Sequence, residues 1–326
     1  MLNMTISSPP RGDALNDIRS FLNKSGLIMG DDADYTVCLY DDEDELCATG
    51  SLCGRVLKYI ATSPAAQGEG AAAKVVSELV NEAARRGIIK LFLFTKPDNI
   101  TLFKSLGFYP LAKTDKSAML ENSRNGLSRF LSGIDPGEGV KGAIVANCNP
   151  FTLGHRWLME KAALVVDTLH VFVLSEDLSR FTSKERFMLV KEGTSDIKNI
   201  RVHMSGDYLI SHATFPTYFI KEQDNTAAIN ADLDITLFGT KIAPVLGITK
   251  RFVGTEPYCM VTSAYNKRLH ELLPGMGVEV VELERKDGIS ASLVRKLEDL
   301  GDIEGIRALV PNATFEYICK KHGWTI

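Results

Sequence analysis

A short segment near the middle of the chain combines the groups that a phosphate site needs. The segment NPFTLGH places Thr152, Gly154 and His155 at the start of a helical pattern. A helix N-terminus favours anions because its first amide N–H groups have no partner within the helix. The imidazole and the hydroxyl can donate hydrogen bonds to phosphate oxygens, and glycine lets the backbone approach a ligand closely. On this spacing alone, a histidine that merely caps or packs its helix is an equally good interpretation.

A second helix start with phosphate-binding chemistry lies near the carboxyl end of the chain. In DGISASLVRKLEDLG, Ser290 is the predicted N-cap, and Ser292 and Arg295 share one helix face because they are three positions apart. The planar guanidinium of Arg295 can bind a triphosphate through several N–H groups. Taken alone, this segment is better explained as an ordinary capped helix with a solvated arginine.

The second half of the chain alternates apolar strand patterns with amphipathic helical patterns. The strand candidates are GAIVANC, TLHVFVLSE, NIRVHMS, ITKRFVG and GVEVVELE. This alternation predicts an α/β fold with a parallel, doubly wound sheet of the Rossmann-like type. Ligands bind outside the carboxyl ends of such strands, and NPFTLGH leaves the first strand at that end.

The first half has a different order of elements. A helix is predicted from about Asp13 to Asn23, followed by the strand-like runs DYTVCLY, ELCATGSL and RVLKYIAT. The loop QGEGAA then leads into a long helix that ends at Gly87, and a strand, a short helix and a strand from Gly107 follow. The polar stretch ENSRNGLSRFLSGIDPGEG is interpreted as a connector. We therefore predict an α+β domain over residues 1–133 and an α/β domain over residues 140–326.

The bulk composition excludes several classes of partner. The chain has 326 residues, 45% of them hydrophobic, and a formal net charge of −4. Residues 1–135 carry 15 basic and 17 acidic side chains and residues 136–326 carry 22 and 24, so neither half is a basic nucleic-acid module. No apolar run reaches membrane-spanning length, and the N-terminus lacks the apolar segment of a signal peptide. We expect a cytoplasmic protein without nucleic-acid or membrane partners.

The six cysteines do not point to a metal site. They form no CxxC pair and no histidine cluster lies near them in the sequence, so we expect free, mostly buried thiols and no protein-bound metal. Cys148 adjoins NPFTLGH and could accept an acetyl group, but a packed thiol is the preferred interpretation. Lys184 and Arg186 are interpreted as the solvated face of a helix rather than as phosphate ligands.

The two helix starts together resemble those of the nucleotidylyltransferase superfamily. The resemblance implies that both motifs bind the phosphates of ATP and that a nucleophile attacks the α-phosphate while pyrophosphate leaves. It implies catalytic roles for Thr152, His155 and Arg295 and nucleotide contacts from Asn149, Phe151, Gly154, Ser290 and Ser292. Mg²⁺ is expected on the phosphates, because a hard cation binds their oxygens.

A narrower resemblance covers most of the second half. The segments GAIVANCNPFTLGHRWLMEKAA, SHATFPTYFIK, IAPVLGITKRFVGTEPYCMVTSAYNKRLHELLP and ERKDGISASLVRKL resemble the citrate lyase ligase family. The resemblance implies that ATP and acetate give acetyl-adenylate and pyrophosphate. The acetyl group would then pass to the thiol of the CoA-derived prosthetic group on the acyl-carrier subunit of citrate lyase, which activates the lyase for citrate fermentation.

The loop in the first half resembles the pyrophosphate-binding loop of GNAT-fold acetyltransferases. Gln67, Gly68, Gly70 and Ala72 are the candidate binding positions, at the N-terminus of the long helix. Gln67 stands where the family often has arginine, which removes a charge pair but keeps the amide groups. We hypothesise that this loop binds a CoA-like prosthetic group and presents its thiol to the adenylate.

Two other functions remain open at this point. The chain could be a plain nucleotidylyltransferase that joins AMP to a phosphorylated metabolite and ignores acetate. It could instead be a regulator that senses nucleotide and CoA without turnover. A sensor does not need the geometry from which pyrophosphate leaves, so the pair of motifs favours an enzyme.

Overall fold

The chain divides into two compact units in the computed structural model, which describes residues 2–175, 179–209, 226–256, 259–284 and 288–325, with the backbone alone at 226–228. The first unit comprises Met1–Gly126 with Pro216–Leu233, and the second comprises Leu127–Phe215 with Asp234–Ile326. The predicted limits 1–133 and 140–326 stay a prediction. Within the described ranges, none of the helices combines the length and apolarity that crossing a bilayer requires.

The first unit is built from strands and helices in mixed order. Its elements are β1 (Asn3–Ser7), α1 (Gly12–Lys24), β2 (Tyr35–Tyr40), β3 (Leu46–Cys53), β4 (Val56–Thr62), α2 (Ala71–Arg85), β5 (Phe92–Thr95), α3 (Ile100–Ser105), β6 (Tyr109–Lys113) and β7 (Ala118–Glu121). The predicted first helix and the three strands that follow it are present. β1 was not predicted: it has five residues and alternates apolar Met4 and Ile6 with polar residues, but a run this short next to the N-terminus is a weak signal, and its side chains are mostly exposed.

One seven-stranded sheet organises this unit, in the order β1-β2-β3-β4-β5-β7-β6. β4 and β5 are parallel, and the other neighbouring strands are antiparallel. The β4–β5 register consists of two pairs, Val56 with Phe92 and Leu57 with Leu93. α2 covers the sheet with the apolar side chains Val75, Leu79 and Ala83, which are fully or almost fully buried.

The remaining elements belong to the second unit, except that Gly126 of α4 and the residues of α7 up to Leu233 belong to the first. They are α4 (Gly126–Ser132), β8 (Lys141–Ala146), α5 (Leu153–Ala163), β9 (Thr168–Val173), α6 (Ser183–Gly193), β10 (Ile200–Met204), α7 (Thr226–Leu237), a π-helical turn (Phe238–Ile242), α8 (Ala243–Leu246), β11 (Ile248–Gly254), α9 (Met260–Leu272), β12 (Glu279–Leu283), α10 (Ala291–Leu300), α11 (Ile303–Arg307) and α12 (Asn312–His322). α4 lies within the stretch that was predicted to be an irregular connector.

The sheet of the second unit is parallel throughout, in the order β10-β9-β8-β11-β12. The α/β fold class and all five predicted strands are therefore confirmed. The chain winds from β8 outward to β10 and then returns to the other side of β8. The winding direction changes between β8 and β11, and open parallel sheets bind ligands in the crevice at such a switch point. NPFTLGH follows β8 at this crevice.

Candidate functional site

His155 and Thr152 hold each other at the start of α5. The Thr152 hydroxyl accepts the His155 backbone N–H at 3.3 Å, and His155 Nδ1 accepts the Thr152 backbone N–H at 3.1 Å, which closes a reciprocal capping box. A backbone N–H can only donate, so Nδ1 is an acceptor. In a neutral ring the proton is therefore on Nε2, which makes the far edge of the imidazole a hydrogen-bond donor.

Two further residues of the same loop are held within the protein. Phe151 is fully buried, and its ring stacks beside that of His155 with centroids 6.1 Å apart. The side-chain oxygen of Asn149 accepts the Phe181 backbone N–H at 3.1 Å. Both side chains therefore shape the loop, and the predicted nucleotide contacts at these two positions would come from backbone groups.

The second motif starts α10 as its sequence predicts. The Ser290 hydroxyl caps the helix by accepting the Leu293 N–H at 3.0 Å. The hydroxyls of Ser290 and Ser292 lie 3.0 Å apart. Arg295 follows on the same helix and is half-buried. Two hydroxyls and a guanidinium thus share one helix start.

The fold brings the two motifs into contact although they are far apart in the sequence. Arg295 donates a hydrogen bond from Nη1 to the backbone oxygen of Asn149. A Cβ atom at Gly154 would lie 3.4 Å from the backbone oxygen of Ile289, so the turn before the second motif packs closely on the first. The sequence-based pairing of Thr152, Gly154 and His155 with Ser290, Ser292 and Arg295 is matched by this geometry.

Arg180 is a neighbour of the second motif that the sequence did not single out. It donates to the backbone oxygen of Arg295 at 3.0 Å and pairs with Glu298 and Asp299. Burial and the nearby Arg180 charge both lower the pKa of Arg295. A negatively charged group close to Arg295 would offset both effects, because it favours the charged form of the guanidinium.

A cleft of about 350 Å³ opens at the carboxyl ends of β8 and β11. Thr152, Gly154 and His155 line it on one side, and Glu256 lines it at the end of β11. Three residues of the first predicted motif therefore line the crevice in which open parallel sheets bind ligands.

Arg186 corrects one sequence interpretation. It is fully buried rather than solvated, with Nε donating to the Phe181 oxygen at 3.0 Å and Nη1 to the Asn147 oxygen at 2.8 Å. Because Asn147 directly follows β8, Arg186 fixes the exit of the strand that leads into the motif. Lys184 is exposed, as expected. The burial of Arg186 could not be predicted from the sequence, because a charged residue in an amphipathic helical pattern is normally assigned to the solvated face.

Cys148 packs in the core of the second unit. The side chain is 1% exposed, and burial raises the pKa of its thiol to about 12. A thiol in this state is a poor nucleophile at neutral pH. The geometry agrees with a packed side chain rather than an acetyl acceptor.

The glycine loop of the first unit lies beside a second cleft, of about 670 Å³. Gln67 and Ala72 line this cleft together with residues of β4 and β5. Gly70 caps α2 in the left-handed region at φ 76°, and Gly68 has φ 86°. Open space surrounds both Cα atoms, since a Cβ built at either would meet nothing within 4 Å. The loop thus presents the N-terminus of a long helix without side chains in front of it.

The described residues contain no group of three or more histidine, cysteine or acidic side chains placed to hold a metal ion.

Two family models match the chain. The citrate lyase ligase C-terminal domain matches residues 141–318, and the GNAT acetyltransferase family matches residues 8–108. A citrate (pro-3S)-lyase ligase of Klebsiella pneumoniae is 42% identical, over 96% of this chain and 94% of that protein. This chain belongs to the citrate lyase ligase family.

Ligases of the same name from two other bacteria are also similar over nearly their whole length. The Haemophilus influenzae protein is 39% identical, and the match covers 94% of this chain and 95% of that protein. The Escherichia coli protein is 39% identical, and the match covers 93% of this chain and 89% of that protein. Membership of the citrate lyase ligase family confirms the resemblance drawn from the motifs, together with a GNAT-like first domain.

Proposed function

We propose that this chain is an ATP-dependent acid–thiol ligase that acetylates the carrier subunit of citrate lyase. The observation that carries the proposal is the contact of the two phosphate motifs, through Arg295 and Asn149, in a chain of the citrate lyase ligase family. The substrates are ATP, acetate and the thiol of a CoA-derived prosthetic group on the carrier. The proposed use of ATP and the free cysteines of the chain support a cytoplasmic reaction.

In the first half-reaction, one carboxylate oxygen of acetate attacks the α-phosphorus of ATP. The bond from that phosphorus to the bridging oxygen breaks, so pyrophosphate leaves and acetyl-adenylate forms. The imidazole Nε2–H of His155 donates to a phosphate oxygen, and Arg295 balances the charge that develops on the leaving group. Thr152, Ser290 and Ser292 supply hydroxyl donors at the two helix starts. Mg²⁺ bound to the phosphates would add further charge stabilisation.

In the second half-reaction, the carrier thiol attacks the acetyl carbonyl carbon. The thiol loses its proton, a thioester forms and AMP leaves with the electrons of the broken carbonyl carbon–oxygen bond. No nucleophile of the chain is required, because the adenylate already activates the acid. The buried, protonated state of Cys148 is compatible with this route.

We propose that the first unit holds the prosthetic arm. The arm resembles CoA, and the Gly68–Gly70 loop offers unobstructed backbone N–H groups at a helix N-terminus for its phosphates. The adjoining cleft of about 670 Å³ is wide enough for an extended pantetheine-like chain. In this scheme the domain binds and delivers a thiol and performs no acetyl transfer of its own.

The deciding experiment is acetate-dependent exchange of labelled pyrophosphate into ATP, without carrier. We expect exchange by the wild-type protein with Mg²⁺ and acetate, and loss of exchange in His155→Ala. Acetylation of the carrier thiol, measured by mass, should then require all three substrates. Exchange that needs a phosphorylated metabolite instead of acetate would indicate a plain nucleotidylyltransferase. Binding of ATP and acetyl-CoA without exchange or carrier acetylation would indicate a sensor.

A further inference from the structure

A buried arginine lies in the cleft but belongs to neither phosphate motif. Arg251 is on β11, in register with Ala143 of β8 and Val280 of β12, so it stands in the interior of the parallel sheet. Only 4% of its surface is exposed. Its side chain nevertheless lines the same cleft as His155 and Thr152. A charged residue in the middle of a buried strand requires a specific explanation.

Part of the hydrogen-bonding capacity of Arg251 is not used by the part of the chain that the structure describes. Its Nε and Nη1 atoms are buried and have no hydrogen-bond partner among these residues. The guanidinium carbon instead lies 4.6 Å from the centroid of the Phe238 ring, in the π-helical turn before α8. Burying unsatisfied donors and a charge is costly, so an occupant that accepts hydrogen bonds would be strongly favoured.

The surroundings of Arg251 favour a ligand with a single negative charge. Asp234 is 7% exposed, lines the same cleft, and accepts a hydrogen bond from the Tyr265 hydroxyl at 2.5 Å. Burial lowers the pKa of Arg251, while Tyr265 and Asp234 nearby raise it. Asp234 repels a monoanion less than it repels a phosphate dianion, and the unpartnered Nε and Nη1 donors of Arg251 can bind the monoanion.

The residues that line the cleft near Arg251 favour a ligand with a short apolar group attached to its negatively charged group. Val145 of β8 and Val253 of β11 are half-buried and line the cleft. They lie two positions beyond Ala143 and Arg251, which are in register, so they share the sheet face of Arg251. A planar guanidinium pairs with both oxygens of a carboxylate, and the aliphatic side chains suit a methyl group or a short alkyl chain. Thr152, Gly154 and His155 of the first motif line the same cleft, so an acid bound here would lie beside a nucleotide held by that motif.

We propose that Arg251 binds the carboxylate of the acid substrate and that Asp234 and Tyr265 position its guanidinium. This inference rests on the proposed function and names the acid-binding residue of that site. Arg251 orients one oxygen of acetate toward the α-phosphate. Its positive charge favours an anionic acid over neutral analogues. The chemical class of substrate is a short, unbranched monocarboxylate.

The test is acetate-dependent pyrophosphate–ATP exchange in Arg251→Gln and Arg251→Lys, with Lys250→Met as the matched control. Lys250 is the adjacent cation on β11, and it pairs with Glu279 instead of lining the cleft. We expect the KM for acetate to rise at least tenfold in Arg251→Gln and by less in Arg251→Lys. The KM for ATP should stay within about twofold, and Lys250→Met should match the wild type.

A second measurement separates substrate binding from a structural role. Added guanidinium ion should lower the KM for acetate in Arg251→Ala and leave the wild type unchanged, because it can occupy the space of the lost group. Folded variants with a wild-type KM for acetate would overturn the inference and leave the proposed function intact. If the wild type shows exchange without acetate, the proposed function and the inference are both overturned. If Arg251→Gln does not fold, Arg251→Lys decides the outcome. The inference is overturned if the KM for acetate is unchanged in Arg251→Lys and guanidinium ion rescues none of the folded variants.

Discussion

The Nδ1 atom of His155 lies 3.1 Å from the backbone nitrogen of Thr152, and this contact determines which side of the imidazole donates. Because the backbone group is the donor, the ring proton is on Nε2, the nitrogen farther from the turn. A histidine at a helix N-terminus could have served as a cap alone. Here the His155 side chain both caps the helix and carries the Nε2–H donor. Capping therefore orients the donor that we propose binds the phosphate.

Replacing His155 by alanine should lower the exchange rate by about 10² to 10³-fold, the usual effect of losing one hydrogen-bond donor to a developing charge. Pyrophosphate–ATP exchange at saturating acetate measures this. Thr152→Val is the partner variant, since it keeps the backbone N–H to Nδ1 and removes the hydroxyl. It should lose about 1 kcal/mol of stability through the cap and retain more activity than His155→Ala. Equal activity in His155→Ala and the wild type would exclude this imidazole from catalysis.

Arg295→Lys should raise the KM for ATP about tenfold or more. Lysine keeps the charge but cannot hold the Asn149 oxygen and a phosphate together through a planar group. Steady-state exchange kinetics with ATP as the varied substrate give the value. Lys296 is the exposed neighbour on α10, and Lys296→Ala is the control that should leave the KM unchanged. A similar rise of the KM for ATP in Arg295→Lys and Lys296→Ala would indicate a general effect of charge instead of a specific contact of Arg295.

Gly70→Asn should weaken carrier acetylation and spare adenylate formation. Asparagine tolerates the left-handed backbone at φ 76°, so the added side chain acts mainly by filling the space in front of the loop. Gly87→Asn is a matched control, because Gly87 has φ 73° and equally open surroundings at the other end of α2. We expect the KM for the carrier to rise in Gly70→Asn alone. If carrier kinetics are the same in both variants, the loop does not bind the prosthetic arm.

The stability of the second unit should fall as the pH drops below neutrality. His170 Nε2 lies 3.2 Å from the Pro136 backbone oxygen and therefore donates, which leaves Nδ1 to accept from His203 Nε2 at 3.0 Å. Burial, followed by the adjacent His170 and Arg201 charges, lowers the pKa of His203 to about 4, and burial also lowers the pKa of His170. The unfolded chain then binds more protons than the folded one between about pH 6.5 and pH 4, so stability is lost as pH falls through this window.

For His203 the expected loss between pH 7.5 and pH 5 is on the order of 2 kcal/mol. Urea unfolding of the wild type and of His203→Gln at both pH values measures it. Glutamine retains a donor toward His170 and does not titrate, so its pH dependence should be smaller. The exposed His270, paired with Glu282, provides the control variant His270→Gln. Parallel pH dependence in all three proteins would assign the effect to other groups.

Much of the second unit could be predicted because its strands have a strong signal. Parallel strands covered on both faces are nearly continuous apolar runs, and β9, with the sequence TLHVFV, is buried at every position. β1 and α4 were missed for the opposite reason. β1 is a mostly exposed edge strand of five residues and α4 is only seven residues long, so each is too short for a periodic pattern to stand out from its surroundings.

The two helix starts and their chemistry could be predicted from local sequence, since Thr152 before His155 and Ser290 before Arg295 are patterns of capping and donor groups. The contact between these starts and the burial of Arg186 became visible in the folded chain alone. The same holds for the Nε and Nη1 atoms of Arg251, which lack a partner among the described residues. Capping depends on residues within one turn, which a sequence displays directly. Burial and pairing of an arginine depend on strands that are adjacent in the sheet but distant in the chain, and no local pattern records them.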